Sequence, residues 1–339
     1  MAVKLPRLCV SHTVRGTATF RIDTSAPYTT GALTAQRYWT DPVYGSALVA
    51  SGSPCLLGAM AALLDVSATV TTAGKSYSTT SSPAYRATFT AAAGSFAFIP
   101  AHAGTTAEGL RVLRRLGCDL AGNSASVSSG NDRTWPYALA VWDPDRGESG
   151  DTDEQWDAYG NVIRTVGGVV YTNDLGAPLP RRMLTFNGLS GSYARDRIAD
   201  GATRYGFEAI VWPYLALGEL VRYYADRTAT TTYITSAVSS TDTTVAVADR
   251  TSISANDFVC ADGEWMKVTA SGSGAGNLTV ERSNPVAHSQ YAPLAKDFVA
   301  TYALAEDAGD VSRRGFTPSR RALNQDRWDF DVGLIRAVP

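Results

Sequence analysis

The chain has 339 residues, of which 45% are hydrophobic and 10% aromatic, so it can bury one or more sizeable cores. Its 30 Lys and Arg against 32 Asp and Glu leave a formal charge of -2, which argues against a protein whose main task is to neutralise a nucleic-acid backbone. A charged fraction of only 18% favours many short strands joined by turns, and surfaces suited to protein contact.

The first 150 residues predict a mixed α/β part. Pieces rich in β-branched and aromatic residues indicate strands at 8–14, 17–22, 84–90 and 95–99. Pro54 opens an apolar run at 55–64 that can form a small core helix, because Pro is tolerated in a first helical turn. The opening residues 1–7 lack the apolar stretch of a signal peptide, and no segment runs 18 apolar residues, so we expect no membrane anchor.

The clearest helix is predicted from Thr105 to Gly117. Thr105 can cap its start with Glu108 reaching back, and Gly is a common residue just past a helix end. One face is apolar and predicts packing on a sheet; it carries Leu110, Leu113 and Leu116. Three arginines lie on other faces, where a solvated surface is a commoner explanation than a binding patch; they are Arg111, Arg114 and Arg115.

Polar residues dominate 121–134, which predicts a loop, and 135–142 then predicts a strand. An acidic stretch follows and is placed at a domain boundary; its members are Asp143, Asp145, Glu148, Asp151, Asp153, Glu154 and Asp157. Asp151 could begin a calcium loop, but the sixth position is Trp156 where a Gly is needed, so the EF-hand pattern fails. We prefer a solvated acidic loop, and a weaker calcium site stays open.

From residue 151 onward the pattern predicts an antiparallel β-barrel-like domain. Its strands are expected at 161–171, 182–189, 205–212, 219–225, 298–305 and 328–338, with one short helix at 214–217 after Pro213. Residues 234–248 alternate with period two and carry no helix signal. One economical interpretation makes 234–295 an insertion, with the last segment closing the sheet begun before it.

The predicted fold class is therefore mainly β with minor α. We expect an N-terminal mixed α/β domain at 1–150, a split β-barrel-like core domain at 151–233 plus 296–339, and an inserted small β-domain at 234–295.

Residues 245–289 carry the most specific pattern of the chain. The order is a strand, then D-G-E-x-M-x-V, a turn, L-T-V-x-R and A-H, in which the named landmarks are Asp262, Gly263, Glu264, Met266, Val268, Leu278, Arg282 and His288. Asp262-Gly263 predicts a tight turn, and Arg282 can span the edge near the last turn. The pattern resembles a small β-module that recurs in tail, baseplate and other virion proteins of bacteriophages.

A second resemblance covers residue 150 to the end, outside that module. The phrases Trp212-Pro213, Leu220 to Arg227 and Arg327 to Arg336 look like the core strands of distal tail and tail-hub ring proteins of long-tailed phages. The resemblance implies a structural virion protein, assembled in the host cytoplasm, that forms a cyclic homo-oligomer, six-fold in symmetry. It also implies the tail tube and tail-tip proteins as partners.

No catalytic, cofactor or metal residue is assigned, and we do not predict an enzyme. His12, His102 and His288 lie far apart without a motif, although a scattered triad stays possible. No G-x-S-x-G or H-E-x-x-H pattern occurs, and the glycine-rich 272–276 run predicts a hairpin turn. The four cysteines show no C-x-x-C pair and are expected in the core; they are Cys9, Cys55, Cys118 and Cys260.

Two other functions stay open. Seven Trp and 16 Tyr could line a sugar-binding face, as in a glycan-binding adhesin of the phage tail, although aromatic residues in strands mainly fill cores and interfaces. A neck or tail-terminator ring protein would show the same composition.

Overall fold

The computed structural model describes residues 4–17, 19–22, 28–29, 33–44, 54–56, 75–80, 86–91, 96–99, 104–115, 123–127, 132–134, 141–144, 147, 155–156, 160–164, 170–174, 180–195, 206–305, 319–320 and 326–337. All structural statements below concern these residues.

The described residues are dominated by strands, which confirms the predicted mainly β class with minor α. The strands of the first 150 residues are β1 (Arg7–Gly16), β2 (Thr19–Ile22), β3 (Tyr28–Thr29), β4 (Leu33–Trp39), β5 (Lys75–Thr80), β6 (Arg86–Ala91), β7 (Phe96–Ile99), β8 (Asn123–Val127), β9 (Asp132–Thr134) and β10 (Val141–Trp142). Those that follow are β11 (Gln155–Trp156), β12 (Gly160–Arg164), β13 (Val170–Asp174), β14 (Pro180–Ser190), β15 (Val221–Tyr224), β16 (Thr231–Tyr233), β17 (Thr244–Val247), β18 (Phe258–Ala261), β19 (Glu264–Ala270), β20 (Gly276–Arg282), β21 (Pro293–Ala295), β22 (Val299–Leu304), β23 (Ser319–Arg320) and β24 (Arg327–Arg336). The described helical segments are a 3-10 turn (Pro42–Tyr44), α1 (Ala107–Arg115), α2 (Gly191–Ala194), α3 (Phe207–Ile210) and α4 (Trp212–Leu215).

One nine-stranded antiparallel sheet is barrel-like. Its main order is β10-β1-β15-β22-β24-β14-β11, with β23 beside β24 and β4 beside the second half of β1. The last strand, β24, pairs with both β14 and β22. This pairing confirms that the final segment closes the sheet begun before residue 234.

The core of this sheet is aromatic. Trp142 lies with its ring centroid 4.9 Å from that of Phe186 and 5.2 Å from that of Phe207, both nearly edge-on, and 6.0 Å from that of Phe330. Edge-on packing is favoured because the positive ring edge meets a negative ring face. The Trp142 indole N–H also donates a 2.8 Å hydrogen bond to the Tyr193 carbonyl. The two-residue edge strand β10 is thereby tied to the β14 side of the barrel through its side chain.

The predicted boundary at residue 150 does not divide this sheet. Strand β1 pairs with β15 through Arg7↔Tyr224 to Val10↔Val221, and β10 pairs with β1. Leu8 and Val10 are fully buried in the same core as the later strands. The assignment of all of 1–150 to a separate N-terminal domain was therefore wrong for β1 and β10, because apolar periodicity gives the type of a strand but not its partner.

The predicted strand at 205–212 was also wrong. The segment forms α3 and α4, and its apolar residues recur with helical spacing on one buried face, namely Phe207, Ile210, Val211 and Leu215. Pro213 lies in the first turn of α4, where its missing N–H is not needed. Among the described residues between β14 and β15, three short helical segments, α2, α3 and α4, therefore stand in place of the one predicted.

Several smaller predictions have definite outcomes. The 121–134 segment is not a plain loop, because β8 pairs with β7 and β9 pairs with β6. The described residues of the 161–171 piece belong to two paired antiparallel strands, β12 and β13, and not to one strand. Helix α1 packs against β1 as expected, but Thr106 and not Thr105 caps it, accepting a 3.0 Å hydrogen bond from the Gly109 N–H. Beyond Leu56, the predicted 55–64 helix lies outside the described residues.

Residues 231–295 form a second, smaller sheet, which we call the module. Its order is β16-β21-β18-β19-β20-β17, and Ile234, just after β16, bridges to Val247 in β17, so the row of strands closes on itself. It has its own apolar core, which includes Val245, Val259, Met266, Val268, Leu278 and Val280. The module leaves the barrel after β15 and returns at β22, which are adjacent strands. Within the described residues, no helix has the length and apolarity to span a membrane.

Candidate functional site

The predicted tight turn is present at Asp262-Gly263. Both residues have positive φ, 48° and 81°, and the flanking residues Ala261 and Glu264 face each other across β18 and β19. Two positive φ values in a two-residue connection define a type I′ hairpin turn. Asp tolerates this conformation and Gly adopts it without steric cost.

Immediately after the turn, a buried carboxylate meets a buried guanidinium. Arg282 of β20 donates from Nε to Glu264 Oε1 at 2.8 Å and from Nη2 to Glu264 Oε2 at 2.7 Å. The two side chains are only 3% and 4% exposed. This two-pronged geometry matches the planar fork of Arg and is the strongest form of the ion pair.

His288 completes the cluster from the other side. Its Nε2 lies 2.8 Å from Glu264 Oε2, and because the carboxylate can only accept, Nε2–H donates. The Val286 backbone N–H donates to the same oxygen at 3.0 Å. Nδ1 of His288 is buried and has no hydrogen-bond partner among the described residues.

Arg282 also fastens two loops. Its Nη1 donates to the carbonyls of Ser239 at 2.7 Å and Asp242 at 3.0 Å, and its Nη2 donates to the carbonyl of Val286. The 237–242 loop and the 283–289 loop are therefore held by one side chain. We call the Glu264, Arg282 and His288 side chains the clasp.

The charges in the clasp stabilise each other. Burial alone would raise the pKa of Glu264, but hydrogen bonds from Arg282, the Val286 backbone and His288 outweigh it and lower that pKa. The hydrogen bond to Glu264 raises the pKa of Arg282 despite partial burial. Both groups stay ionised in the folded protein at neutral pH.

The tight turn also docks the module onto the barrel. The Gly263 N–H donates to the Val299 carbonyl at 2.8 Å, and Asp262 Oδ1 accepts from the Thr301 N–H at 3.1 Å. The guanidinium of Arg336, from the last barrel strand, lies where a Gly263 side chain would be. One two-residue turn thus contacts both β22 and β24, which limits the freedom of the module relative to the barrel.

A groove of about 1030 Å³ lies beside this turn, between the two loops and the end of β24. Its lining residues from the module include Val238, Glu264 and His288, which are buried, and Trp265 and Val286, which are 42% and 41% exposed. Polar side chains complete the walls; they are Ser239, Asp242, Asp262, Ser283, Asn284, Ser289 and Arg336.

The two described histidines, His12 and His288, lie in different clusters. His288 belongs to the clasp, whereas His12 lies in β1, its Nδ1 2.8 Å from the Arg115 carbonyl of α1 and its ring 4.4 Å from that of Tyr214. Burial lowers the pKa of His12 to about 4, so it is neutral at physiological pH. His102 lies outside the described residues. The scattered triad of the enzyme alternative is therefore not assembled from His12 and His288.

A second buried polar cluster surrounds Glu219. Its carboxylate accepts from Ser11 Oγ at 2.7 Å, from the Thr13 N–H at 2.8 Å and from Arg115 Nη1 at 3.0 Å. Arg115 was predicted on a solvated helix face and is instead an ion-pair partner that ties α1 to the barrel. Arg111 follows the prediction, being exposed and 3.8 Å from Glu108.

A third cluster lies under the 3-10 turn. Arg222 Nη1 donates to Asp41 Oδ2 at 3.1 Å and to Tyr44 Oη at 2.7 Å, and its guanidinium lies 3.8 Å from the centre of the Trp39 ring. Tyr224 donates to the other oxygen of Asp41. These contacts bind the N-terminal strands to β15 and leave Asp41 fully paired in the interior.

The other expected sites have mixed outcomes. Of the acidic stretch, Asp143 is described and forms a 2.7 Å ion pair with Arg7; the aspartates and glutamates at 145–154 lie outside the described residues, as does Asp157. Among the described residues, no group of three potential ligands could hold a metal ion. Cys9, Cys55 and Cys260 are buried free thiols, as expected.

In the described part of the chain, the fold and the clasp define a mainly β scaffold in which two apolar cores meet at a hydrogen-bonded turn with a groove beside it. No protein-family model matches the chain, and a search of curated proteins finds no match.

Proposed function

We propose that the chain is a structural component of a tailed-bacteriophage particle, a distal-tail subunit that forms a ring and links the tail tube to the tail tip. The observation that carries the proposal is the way the module is built into the barrel. It is inserted between adjacent strands β15 and β22 and braced on β22 and β24 by the Asp262-Gly263 turn. A ring subunit needs such rigid attachment, because small angular errors would prevent closure.

The residues behind each resemblance come together in space, which supports the proposal. Glu264, Arg282 and His288, from three separate phrases of the module pattern, form one buried cluster. Likewise β15 and β24, from the two tail-hub phrases, both flank β22 in one sheet.

The ring contacts are expected on a strand edge and on exposed apolar side chains. The ends of the main strand order, β10 and β11, are two residues long, but β4 is seven residues long and pairs with β1 as its only strand partner among the described residues. A strand with one unpaired side can pair with another chain through its backbone. Exposed apolar side chains add to this surface, and those of Met183 and Leu217 on the barrel are 48% and 62% exposed.

The experiment is quantitative mass spectrometry of purified particles, combined with native mass spectrometry of the isolated chain. The proposal predicts a fixed copy number per particle and a closed oligomer, six-fold by the resemblance. Absence of the chain from purified virions would contradict the proposal. A neck or tail-terminator protein would form the same kind of ring at the other end of the tail, and imaging of the particle distinguishes the two positions.

A glycan-binding adhesin is the second candidate. One observation favours it, the half-exposed Trp265 in a groove with polar walls.

A further inference from the structure

We propose that the groove beside the Asp262-Gly263 turn is a binding site for a neutral oligosaccharide, with Trp265 as its stacking platform. The inference rests on the second candidate function, glycan binding, and is independent of the proposed ring, since it needs the groove alone.

The platform is an indole that the core does not use. On β19 the residues at 264, 266 and 268 face the module core, so Trp265 points to the outside and stays 42% exposed. A flat aromatic ring with one accessible face can stack on the C–H face of a sugar ring. Val286, 41% exposed across the groove, supplies a second apolar contact.

The walls offer hydrogen bonds of the kind that sugar hydroxyls need. Hydroxyl, amide and carboxylate side chains line both loops, and the exposed members are Ser239, Asp242, Ser283, Asn284 and Ser289. Such groups can donate to and accept from vicinal hydroxyls. The combination of an aromatic platform with planar polar side chains favours a carbohydrate over a purely apolar ligand.

The groove is also preorganised. The 237–242 loop and the 283–289 loop are both fixed by Arg282, through the carbonyls of Ser239, Asp242 and Val286. Asp242 is held further, since its Oδ2 accepts from the Ser239 N–H at 2.7 Å. Binding to walls that are already ordered costs less conformational entropy.

Charge and topology argue against the other ligand classes. Three carboxylates, Asp242, Asp262 and Glu264, line the groove. The guanidinium of Arg336 is packed against Gly263, so the lining disfavours a polyanion. An extended peptide would bind by adding a strand, but the closed row of module strands leaves no edge for it.

The test is saturation-transfer NMR of the intact protein with maltohexaose, cellohexaose, laminarihexaose and chitohexaose, each at about 10 mM, where even weak binding is visible. Trp265→Ala should weaken the binding of the recognised probe roughly tenfold or more, because it removes the stacking face. The matched control is Phe258→Ala, which removes an exposed aromatic ring that does not line the groove and should leave binding within about twofold.

Circular dichroism of both variants checks that the fold is intact, which the exposure of both rings leads us to expect. Two results would overturn the proposal: no saturable transfer from any of the four probes, or binding that Trp265→Ala leaves unchanged. A ring oligomer with no sugar binding would dismiss this site and leave the proposed structural function standing.

Discussion

The substitution Arg282→Met tests how much the clasp contributes to the stability of the module. Arg282→Met keeps an unbranched apolar stem that reaches about as far as Nε of Arg282, but it deletes all the hydrogen bonds to Glu264 and to the two loops. The carboxylate of Glu264, 4% exposed, would keep only the Val286 N–H and His288 as donors.

The expected loss is large because the surviving charge stays buried. Removal of one partner of a buried ion pair costs roughly 3–5 kcal/mol, most of it the penalty of the unpaired charge. The pair Lys267 and Glu281 is the natural control, since it joins the same two strands at 3.7 Å but is 41% and 67% exposed. Lys267→Met should cost no more than about 0.5 kcal/mol.

Urea unfolding of protein labelled with 5-fluorotryptophan measures both changes locally. Trp265 is the sole tryptophan between residues 231 and 295, so its fluorine resonance reports on the module. The double variant Arg282→Met with Glu264→Gln should recover part of the loss, because it removes the stranded charge. A cost below about 1 kcal/mol for Arg282→Met would show that the buried charge of Glu264 does not depend on Arg282.

Three further predictions follow from single contacts. Gly263→Ala should lower the melting temperature more than Gly274→Ala in thermal melts. Both substitutions strain a positive φ, at a cost of about 1 kcal/mol each, but only the first displaces the guanidinium of Arg336 in the barrel. Tyr224→Phe should cost roughly 1–3 kcal/mol in urea unfolding, since it deletes the hydroxyl that donates to a buried carboxylate, and an unchanged midpoint would argue against that contact. Burial lowers the pKa of His12 from 6.5 to about 4 in the folded protein. Because the unfolded chain binds the proton at a higher pH, the free energy of unfolding should fall as the pH drops from 6.5 to 4, by up to about 3 kcal/mol. His12→Asn should remove that fall in urea midpoints measured between pH 7 and pH 4, and an equal fall in the variant would contradict the assignment.

Sequence reasoning located the turn of the candidate site but not the clasp. Asp262-Gly263 carries its own conformational signal, whereas the pattern that includes Glu264, Arg282 and His288 does not show that their side chains meet. A signal was nevertheless present. Glu264 continues the inward row of 266 and 268, and Arg282 continues that of 278 and 280, so two opposite charges stand at the ends of two buried rows. Such a pattern predicts a buried ion pair.

The wrong predictions about the fold have the same physical cause, since local sequence does not show which residues pack or pair with each other. A short apolar run such as 207–215 fits a strand or a buried helix, and only its packing decides between them. The polar strands β8 and β9 exist because partners supply backbone hydrogen bonds, which their side chains do not reveal. The pairing of β1 with β15 spans more than 200 residues and has no local signal.

The place of the chain in the particle can be determined by electron cryo-microscopy of intact virions. We expect a ring of this chain around the tail axis, next to the tail tube at the tip, with the barrel and module of each copy fitting the density as one rigid body. A particle whose tail-tip ring consists of other chains, with this one absent or scattered in single copies, would contradict it.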